Sequence, residues 1–198
     1  ARVGALYHDI GKMDMPEYFV ENQLGAFNKH ETLAPNMSAL ILTSHIKVGL
    51  ELSEKYRLPK VIRNYIPEHH GHQLMAFFYH KALEQKAPDE IVAESEFRYP
   101  GPRPKTKESG ILMLSDGVEA ATHSIKEPTA NRIRVMVKSI IDNRLQSGEL
   151  DECDLTIGDL KKIEDAFMPI LLGIYHVRVE YPKQGQLSEE SYQPMTLE

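Results

Sequence analysis

Residue types that ligate metal ions recur at four places in this chain, and a fold must bring them together if they form one site. They are His8–Asp9, His45, His69–His70 and Asp116. A neutral imidazole and a carboxylate both bind divalent cations, and this mixture of nitrogen and oxygen suits Mn, Fe or Zn better than Ca or Mg. One His-Asp pair alone is also typical of a helix end or a surface. The complete series is harder to explain without a metal.

The composition indicates one globular domain. At 198 residues, with 41% hydrophobic and 26% charged residues, the chain is large enough for one core. No apolar run approaches the ~20 residues that span a bilayer. The single Cys153 excludes an internal disulfide framework and fits a reducing compartment. The net charge of -6 argues against a polynucleotide partner, whereas a metal ion would let the site accept a small anion.

Apolar periodicity predicts an all-α chain without convincing strands or an internal domain boundary. A first helix ends near Asp9, where Gly11 supplies the backbone freedom to stop it. Further helices are predicted over 37–56, 58–68, 73–85, 109–124, 129–146 and 157–175. Polar residues are expected to cap the last two helices. Inward positions are predicted for Val61, Ile62, Tyr65 and Ile66, and a core position for the aromatic run Phe77, Phe78 and Tyr79.

The candidate ligands occupy positions that favour an internal site. His45 falls on the apolar stripe of its helix with Ile41, Val48 and Leu52, although a core histidine bonded to a backbone carbonyl fits that position too. Adjacent residues on a regular helix point ~100° apart. An irregular helix end would therefore let both histidines of the His69–His70 pair face one site, and an exposed His-rich turn is the alternative.

Asp116 lies in a strongly apolar helix, four residues after Leu112 and four before Ala120. Burying an unpaired carboxylate costs several kcal/mol, so a cation is expected beside it. Metal ligation would supply that cation.

Two segments without helical periodicity are candidates for the rim of the site. Residues 14–35 are predicted to form a lid or rim, in which His30 and Glu31 are either rim residues or exposed loop residues. Residues 88–107 contain several prolines and are predicted to be extended. This second segment is either a solvated connector or a flap that contributes cations and Tyr99 to nucleotide binding.

Several short motifs resemble one known family. They are His8-Asp9, Asn28-Lys29-His30-Glu31 with Leu33 and Pro35, Ser44-His45, His69-His70-Gly71, Phe97-Arg98-Tyr99-Pro100-Gly101, Ser115-Asp116-Gly117-Val118-Glu119-Ala120 and Leu150-Asp151-Glu152-Cys153-Asp154-Leu155. The chain resembles, from about Ala1 to Pro182, the HD superfamily of metal-dependent phosphohydrolases. Within it, the chain is similar to the cytosolic HD domain of the bacterial seven-transmembrane HD proteins, the PgpH-type cyclic di-AMP phosphodiesterases. The family usually has Pro and Asp where this chain has Lys29 and Glu31.

The resemblance implies a compact all-α HD bundle over residues 1–181 with its metal site in the core, followed by a polar, flexible tail over 182–198. It implies two divalent transition-metal ions, Mn or Fe, bridged by Asp9. One ion would be held by His8 and Asp116, and the other by His45, His69 and His70. Lys12 is the candidate for a catalytic contact to phosphate, although it could also be a solvated lysine at a helix end. The candidate substrate-binding residues are Lys12, His72, Tyr99 and Arg103.

The implied activity is hydrolysis of cyclic di-AMP to linear pApA by a hydroxide that the two ions activate. The alternatives are a cyclic di-GMP phosphodiesterase and a nucleotide-binding HD module without turnover. The family carries a further metal-binding histidine upstream of the His-Asp pair, and this chain begins at Ala1 without a Met. We therefore expect a fragment of a longer protein, tethered through membrane helices to the cytoplasmic face of the cell membrane. The oligomeric state is not indicated.

Overall fold

A computed structural model describes residues 1–23, 28–122, 124–125 and 127–175. Its α-helices are α1 (Arg2–Tyr7), α2 (Pro35–Lys55), α3 (Lys60–Arg63), α4 (Tyr65–Glu68), α5 (Ala76–Gln85), α6 (Lys107–Thr122), α7 (Ala130–Gln146) and α8 (Ile157–Ile174). Across these residues the β pairing is limited to one isolated bridge, Leu74 with Arg98. The prediction of an all-helical fold is confirmed. The predicted tail and the end of the predicted domain lie outside the described residues.

The longest helix, α2, is the support against which the N-terminal segment packs. A single 3-10 turn, Ile10–Met13, follows α1 and lies directly on α2. This close approach depends on glycine, because a Cβ atom at Gly11 would overlap the His45 carbonyl and lie 2.6 Å from the backbone nitrogen of Gly49. Gly49 lacks a side chain as well. Two glycines therefore bring the segment after α1 against the middle of α2.

The helix predicted over 58–68 is divided into α3 and α4, so that prediction of one continuous helix is wrong. Pro67 has no N–H, so it cannot donate to the carbonyl of Arg63 four residues earlier. Helix α3 ends at Arg63. Tyr65 and Ile66 are buried as predicted, but Val61 is 67% exposed and does not face the core.

The helix predicted over 73–85 begins three residues late as α5, because residues 73–75 pair with the connector between α5 and α6. The Met75 N–H donates to the Phe97 carbonyl at 2.8 Å, and the Tyr99 N–H donates to the Gln73 carbonyl at 3.0 Å. The connector between α5 and α6 contains no α-helix, but it includes the 3-10 turn Glu94–Phe97. This pairing fixes Tyr99 beside the end of α4.

The aromatic run at the start of α5 is only partly internal. Phe78 and Tyr79 pack against the small cluster of Ala39, Met75 and Phe97. Phe77 is 72% exposed, so the prediction that it belongs to the core is wrong.

Helices α6, α7 and α8 enclose the main hydrophobic core. The buried cluster consists of Met113, Leu114, Val118, Ile133, Val137, Ile141, Leu150, Cys153, Leu160, Ile163, Met168 and Leu171. The polar caps are as predicted, since the Thr129 side chain accepts from the Arg132 N–H and Thr156 forms a capping box with Asp159. In the described part of the chain, no helix combines the length and hydropathy required to span a bilayer.

Candidate metal centre

The predicted ligand residues come from four separate parts of the fold and converge. They are His8 and Asp9 after α1, His45 in α2, His69 and His70 at the end of α4, and Asp116 in α6. Helix α4 ends at Glu68, and His69 keeps right-handed helical dihedrals as the first residue after it. The ring centroids of His69 and His70 are only 3.9 Å apart. The structure therefore assembles all the candidates, and their role as metal ligands remains a prediction.

The donor atoms form two groups that share one carboxylate. The deep set consists of Asp9, His45, His69 and His70, and the open set consists of His8, Asp9 and Asp116. Within each set all donor atoms lie within 4.8 Å of one another. In the deep set, His45 and His69 are buried at 2% and 0% exposure. The residues of the open set are all partly exposed.

Asp9 directs a different oxygen to each set. Its Oδ1 lies 3.5 Å from His45 Nε2 and 3.4 Å from His69 Nε2. Its Oδ2 lies 3.2 Å from His8 Nε2. Asp116 closes the open set from the other side, with Oδ1 3.7 Å from His8 Nε2. This is the arrangement expected of a carboxylate that bridges two cations.

Three of the four histidines are oriented by the same local hydrogen bond. Each places its Nδ1 against the backbone carbonyl three residues earlier, and because a carbonyl can only accept, the proton lies on Nδ1. The Nε2 lone pair is then available to a metal, and such outer hydrogen bonds are typical of metal-binding histidines. The pairs are His8 with Ala5, His45 with Leu42 and His69 with Ile66.

The unsatisfied atoms of the site fit a divalent cation. His8 Nε2 and Asp9 Oδ1 are buried and have no hydrogen-bond partner within the described residues. His45 Nε2 and His69 Nε2 lie 3.4 Å apart with their protons on the other nitrogen of each ring. Two facing lone pairs repel each other unless a cation lies between or beside them. The donor set is therefore consistent with divalent metal binding.

The electrostatics of the deep set favour the ligand forms of its side chains. Burial, aided by the neighbouring His69 ring, lowers the pKa of His45 to about 4. Burial and the neighbouring imidazoles likewise lower the pKa of His70 well below its ordinary value. Burial would raise the pKa of Asp9, but the close approach of the His69 and His8 rings outweighs it and lowers that pKa strongly. The deep set thus offers neutral imidazoles at His45 and His70 and an ionised carboxylate at Asp9.

The open set behaves differently. Burial would lower the pKa of His8, but the Asp116 and Asp9 carboxylates outweigh burial and raise that pKa to about 10. In the metal-free chain a proton on His8 therefore balances the two carboxylates. Cation binding at this set must displace that proton.

Lys12, the predicted phosphate contact, lies at the edge of the open set. Its Nζ is 2.6 Å from Asp9 Oδ2 and 2.6 Å from Glu21 Oε1. Burial would lower the pKa of Lys12, but these carboxylates, Asp9 foremost, raise it, so the side chain is a cation. The residues 14–35 thus reach the site, as the lid or rim prediction requires. Glu21 carried no sequence signal that marked it.

The other predicted substrate-binding residues lie in different surroundings. Tyr99 stacks on His70 with ring centroids 4.0 Å apart, and burial raises its pKa above the usual value. The exposed His72 ring lies against Gly101, and the Arg103 guanidinium lies beside Gly148. Neither His72 nor Arg103 belongs to a donor set. Their roles in substrate binding stay predictions.

His30 is buried at 7% exposure, so the expectation of an exposed loop residue is wrong for it. Its Nε2 donates to the Tyr18 carbonyl at 2.8 Å and its ring faces Phe78. Glu31 beside it is exposed. The sequence analysis also missed Phe19, whose ring meets the edge of His45 at a centroid distance of 5.8 Å. His30 and Phe19 help to anchor residues 14–35.

A cleft of about 770 Å³ leads to the open set, and its lining includes His8, Asp9, Lys12 and Asp116 but none of the deep histidines. Its volume is in the usual range for a small-molecule site. A ligand in this cleft would meet the open set first.

Comparisons with known proteins agree with this geometry. The chain is 44% identical over 183 residues to the cyclic-di-AMP phosphodiesterase PgpH of Bacillus subtilis, and the match covers 92% of the chain and 25% of that protein. It is 46% identical over 181 residues to PgpH of Listeria monocytogenes, covering 91% of the chain and 25% of that protein. The chain therefore spans about a quarter of the length of these curated relatives.

The crystal structure of the L. monocytogenes PgpH HD domain in complex with cyclic-di-AMP is similar throughout. Its TM-score is 0.83 at 45% identity, over 88% of this chain and 80% of that one. A model of the HD domain family matches residues 1–121. The compact helical bundle implied by the sequence resemblance is thereby confirmed, and the chain belongs to the HD domain family.

Proposed function

We propose that this chain hydrolyses cyclic di-AMP to linear pApA at a site for two divalent transition-metal ions, Mn or Fe. The observation that carries the proposal is that the two carboxylate oxygens of Asp9 face different sets, Oδ1 the deep set and Oδ2 the open set. His45, His69 and His70 would complete the site of one ion. His8 and Asp116 would complete the site of the other.

When bound, such an ion pair supplies an activated water as nucleophile and neutralises charge on the phosphate and the leaving oxygen. The chain's own residues orient the donor atoms and balance the charge of the site. Asp9 holds both positions in register, and the backbone bonds of His8, His45 and His69 keep their Nε2 atoms directed inward. Lys12 adds a cation at the mouth of the cleft, where it can contact non-bridging phosphate oxygens.

A cyclic dinucleotide is supported as the substrate class by the relatives. Two are cyclic-di-AMP phosphodiesterases by name, and a solved relative holds cyclic-di-AMP. The net charge of -6 argues against a polynucleotide. Since the relatives are about four times longer, we further propose that residues 1–181 are the catalytic HD domain of a larger protein. Membrane and extracytoplasmic regions of that protein would tether the domain to the cytoplasmic face of the membrane.

A nucleotide-binding module without turnover is the second candidate, and one observation favours it. The open set has three donor residues among those described, whereas the deep set has four. Because two-metal chemistry needs both ions, an open site that fills only partly would bind nucleotide yet hydrolyse it slowly.

Turnover assays separate these functions. The chain, loaded with Mn(II) or Fe(II), is incubated with cyclic di-AMP, cyclic di-GMP and linear pApA, and products are separated by chromatography. We expect hydrolysis of cyclic di-AMP to pApA, faster than hydrolysis of the other two. Asp9→Asn serves as the inactive control. If a chain that carries two ions binds cyclic di-AMP and leaves it intact, the module without turnover is correct instead. Preferential hydrolysis of cyclic di-GMP would identify the other phosphodiesterase.

A further inference from the structure

The turn that carries His69 and His70 is held by a carboxylate remote in sequence. Glu149 lies between α7 and α8 and is 2% exposed. Its Oε2 accepts a hydrogen bond from the His72 backbone N–H at 3.0 Å. Placing a carboxylate in the interior is unfavourable unless the group is hydrogen-bonded. Glu149 and the turn therefore fix each other.

Gly71 makes this contact possible. Its φ of +56° is in the left-handed region, and a Cβ atom there would overlap Glu149 Oε2 and approach Met113 Cε to 2.9 Å. Only a residue without a side chain lets the carboxylate lie directly against the backbone that follows His70. The turn and the α7–α8 loop are thus fitted to each other at one point.

The opposite side of the histidine pair has a matching contact. Glu68 is 4% exposed, and its Oε2 accepts from the Lys105 backbone N–H at 3.2 Å. The His69–His70 pair is therefore bracketed by two buried carboxylates. Glu68 ties it to the connector before α6, and Glu149 ties it to the loop after α7.

We propose that Glu149 is a positioning residue for the His69–His70 pair, through which the packing of α7 and α8 sets the geometry of the deep set. The inference rests on the proposed function, because it assumes that the deep set holds an ion. Glu149 touches neither the donor atoms nor the cleft. It acts on the backbone that sets where both rings lie.

The test compares Glu149→Ala, Glu149→Gln and a matched control, Glu152→Ala, which removes an exposed glutamate of the same loop. Mn(II) stoichiometry and affinity are measured by chelator competition, and the melting of each metal-free chain is recorded. We expect Glu149→Ala to weaken Mn(II) binding in the deep set roughly 10- to 100-fold, the range for outer partners of metal ligands. Glu149→Gln should recover most of this loss, since its amide oxygen can accept the same N–H. Glu152→Ala should match the wild type.

Combined variants assign the loss to one set. Glu149→Ala should weaken binding of the remaining ion in an Asp116→Asn chain by the same factor and should add no loss to a His45→Ala chain. If Glu149→Ala lowers the melting temperature of the metal-free chain yet binds both ions with wild-type affinity, the residue is only structural and the inference is overturned. A wild-type chain that binds no Mn(II) would refute the proposed metal site itself, which is a different result.

Discussion

The deep set and the open set share Asp9 but differ in nearly everything else. In the deep set burial keeps His45 and His70 neutral, and the set offers four donor residues. The open set offers three, carries a proton on His8 when metal-free, and faces the cleft. The comparison indicates that the two sets, although they share one carboxylate, have different roles. The deep set is suited to retaining an ion, and the open set is suited to exchanging one and to meeting a substrate.

Asp9→Asn is expected to have the largest effect, because it removes the charge that both sets use. Both ions should be lost, each with a fall in affinity beyond the 10- to 100-fold that is typical of an outer partner, and hydrolysis should cease. Metal content by mass spectrometry after gel filtration measures this. A variant that loses the open ion alone would show that Asp9 does not bridge, and the comparison would fail.

Variants that each remove a donor from only one set should show that the two sets release their ions at different rates. With both ions bound, a chelator is expected to strip the wild-type chain in two phases, the open set first. Asp116→Asn, which keeps the side-chain volume, should abolish the fast phase and leave one slowly released ion. His69→Ala should leave the fast phase. Stopped-flow absorbance of a metal indicator follows both, and a reversed assignment would contradict the proposed roles of burial and donor number.

Lys12→Met is expected to slow the hydrolysis step without changing how many metal ions the chain retains. Loss of this cation beside the open set should lower kcat roughly 100- to 1,000-fold, as for other groups that stabilise developing charge, with two ions still bound. Lys29→Met is the matched control, because Lys29 pairs with Glu17 on the exposed rim. Metal loss in Lys12→Met would mean that Lys12 supports Asp9 rather than the substrate.

His72→Ala should have the smallest effect of the substitutions in the turn. The ring lies on Gly101 outside both sets, so metal content should equal that of the wild type. His70→Ala is the contrast and should lose most of the deep ion. Equal loss in the two variants would show that the deep set extends beyond Gly71.

Local sequence signals were sufficient to predict a residue's position where that position follows from its own helix. The His45 stripe, the caps at Thr129 and Thr156 and the helix end before His69 all depend on neighbours within about one turn. The candidate ligand residues were singled out because their types and order carry chemistry. Contacts between distant segments had no such signal.

The errors over Val61 and Phe77 share that cause. Whether Val61 or Phe77 faces the core depends on which helix lies opposite, and periodicity does not specify the partner. His30 is buried because Tyr18 offers it a carbonyl, which is a tertiary contact. The division at Pro67 was available from the sequence, because a proline inside a helix removes a hydrogen bond. The contact of Glu149 with the His72 N–H spans 77 residues and required the structure.

The shared hydrogen bond of His8, His45 and His69 to the carbonyl three residues earlier has a consequence for the speed of ion uptake. Each ring is held by its own helical turn. In His45 and His69 the nitrogen that faces the ion has the correct tautomer before the ion arrives, whereas His8 must first release its proton. Uptake then requires little ordering of the chain and should be governed by loss of the ion's hydration shell and by entry through the cleft. His70 differs, because its ring stacks on Tyr99 and its Nδ1 lies 3.7 Å from Asp116 Oδ2, and neither contact comes from its own helical turn. It is the donor whose ring adjusts if the chain exchanges one metal for another of different radius.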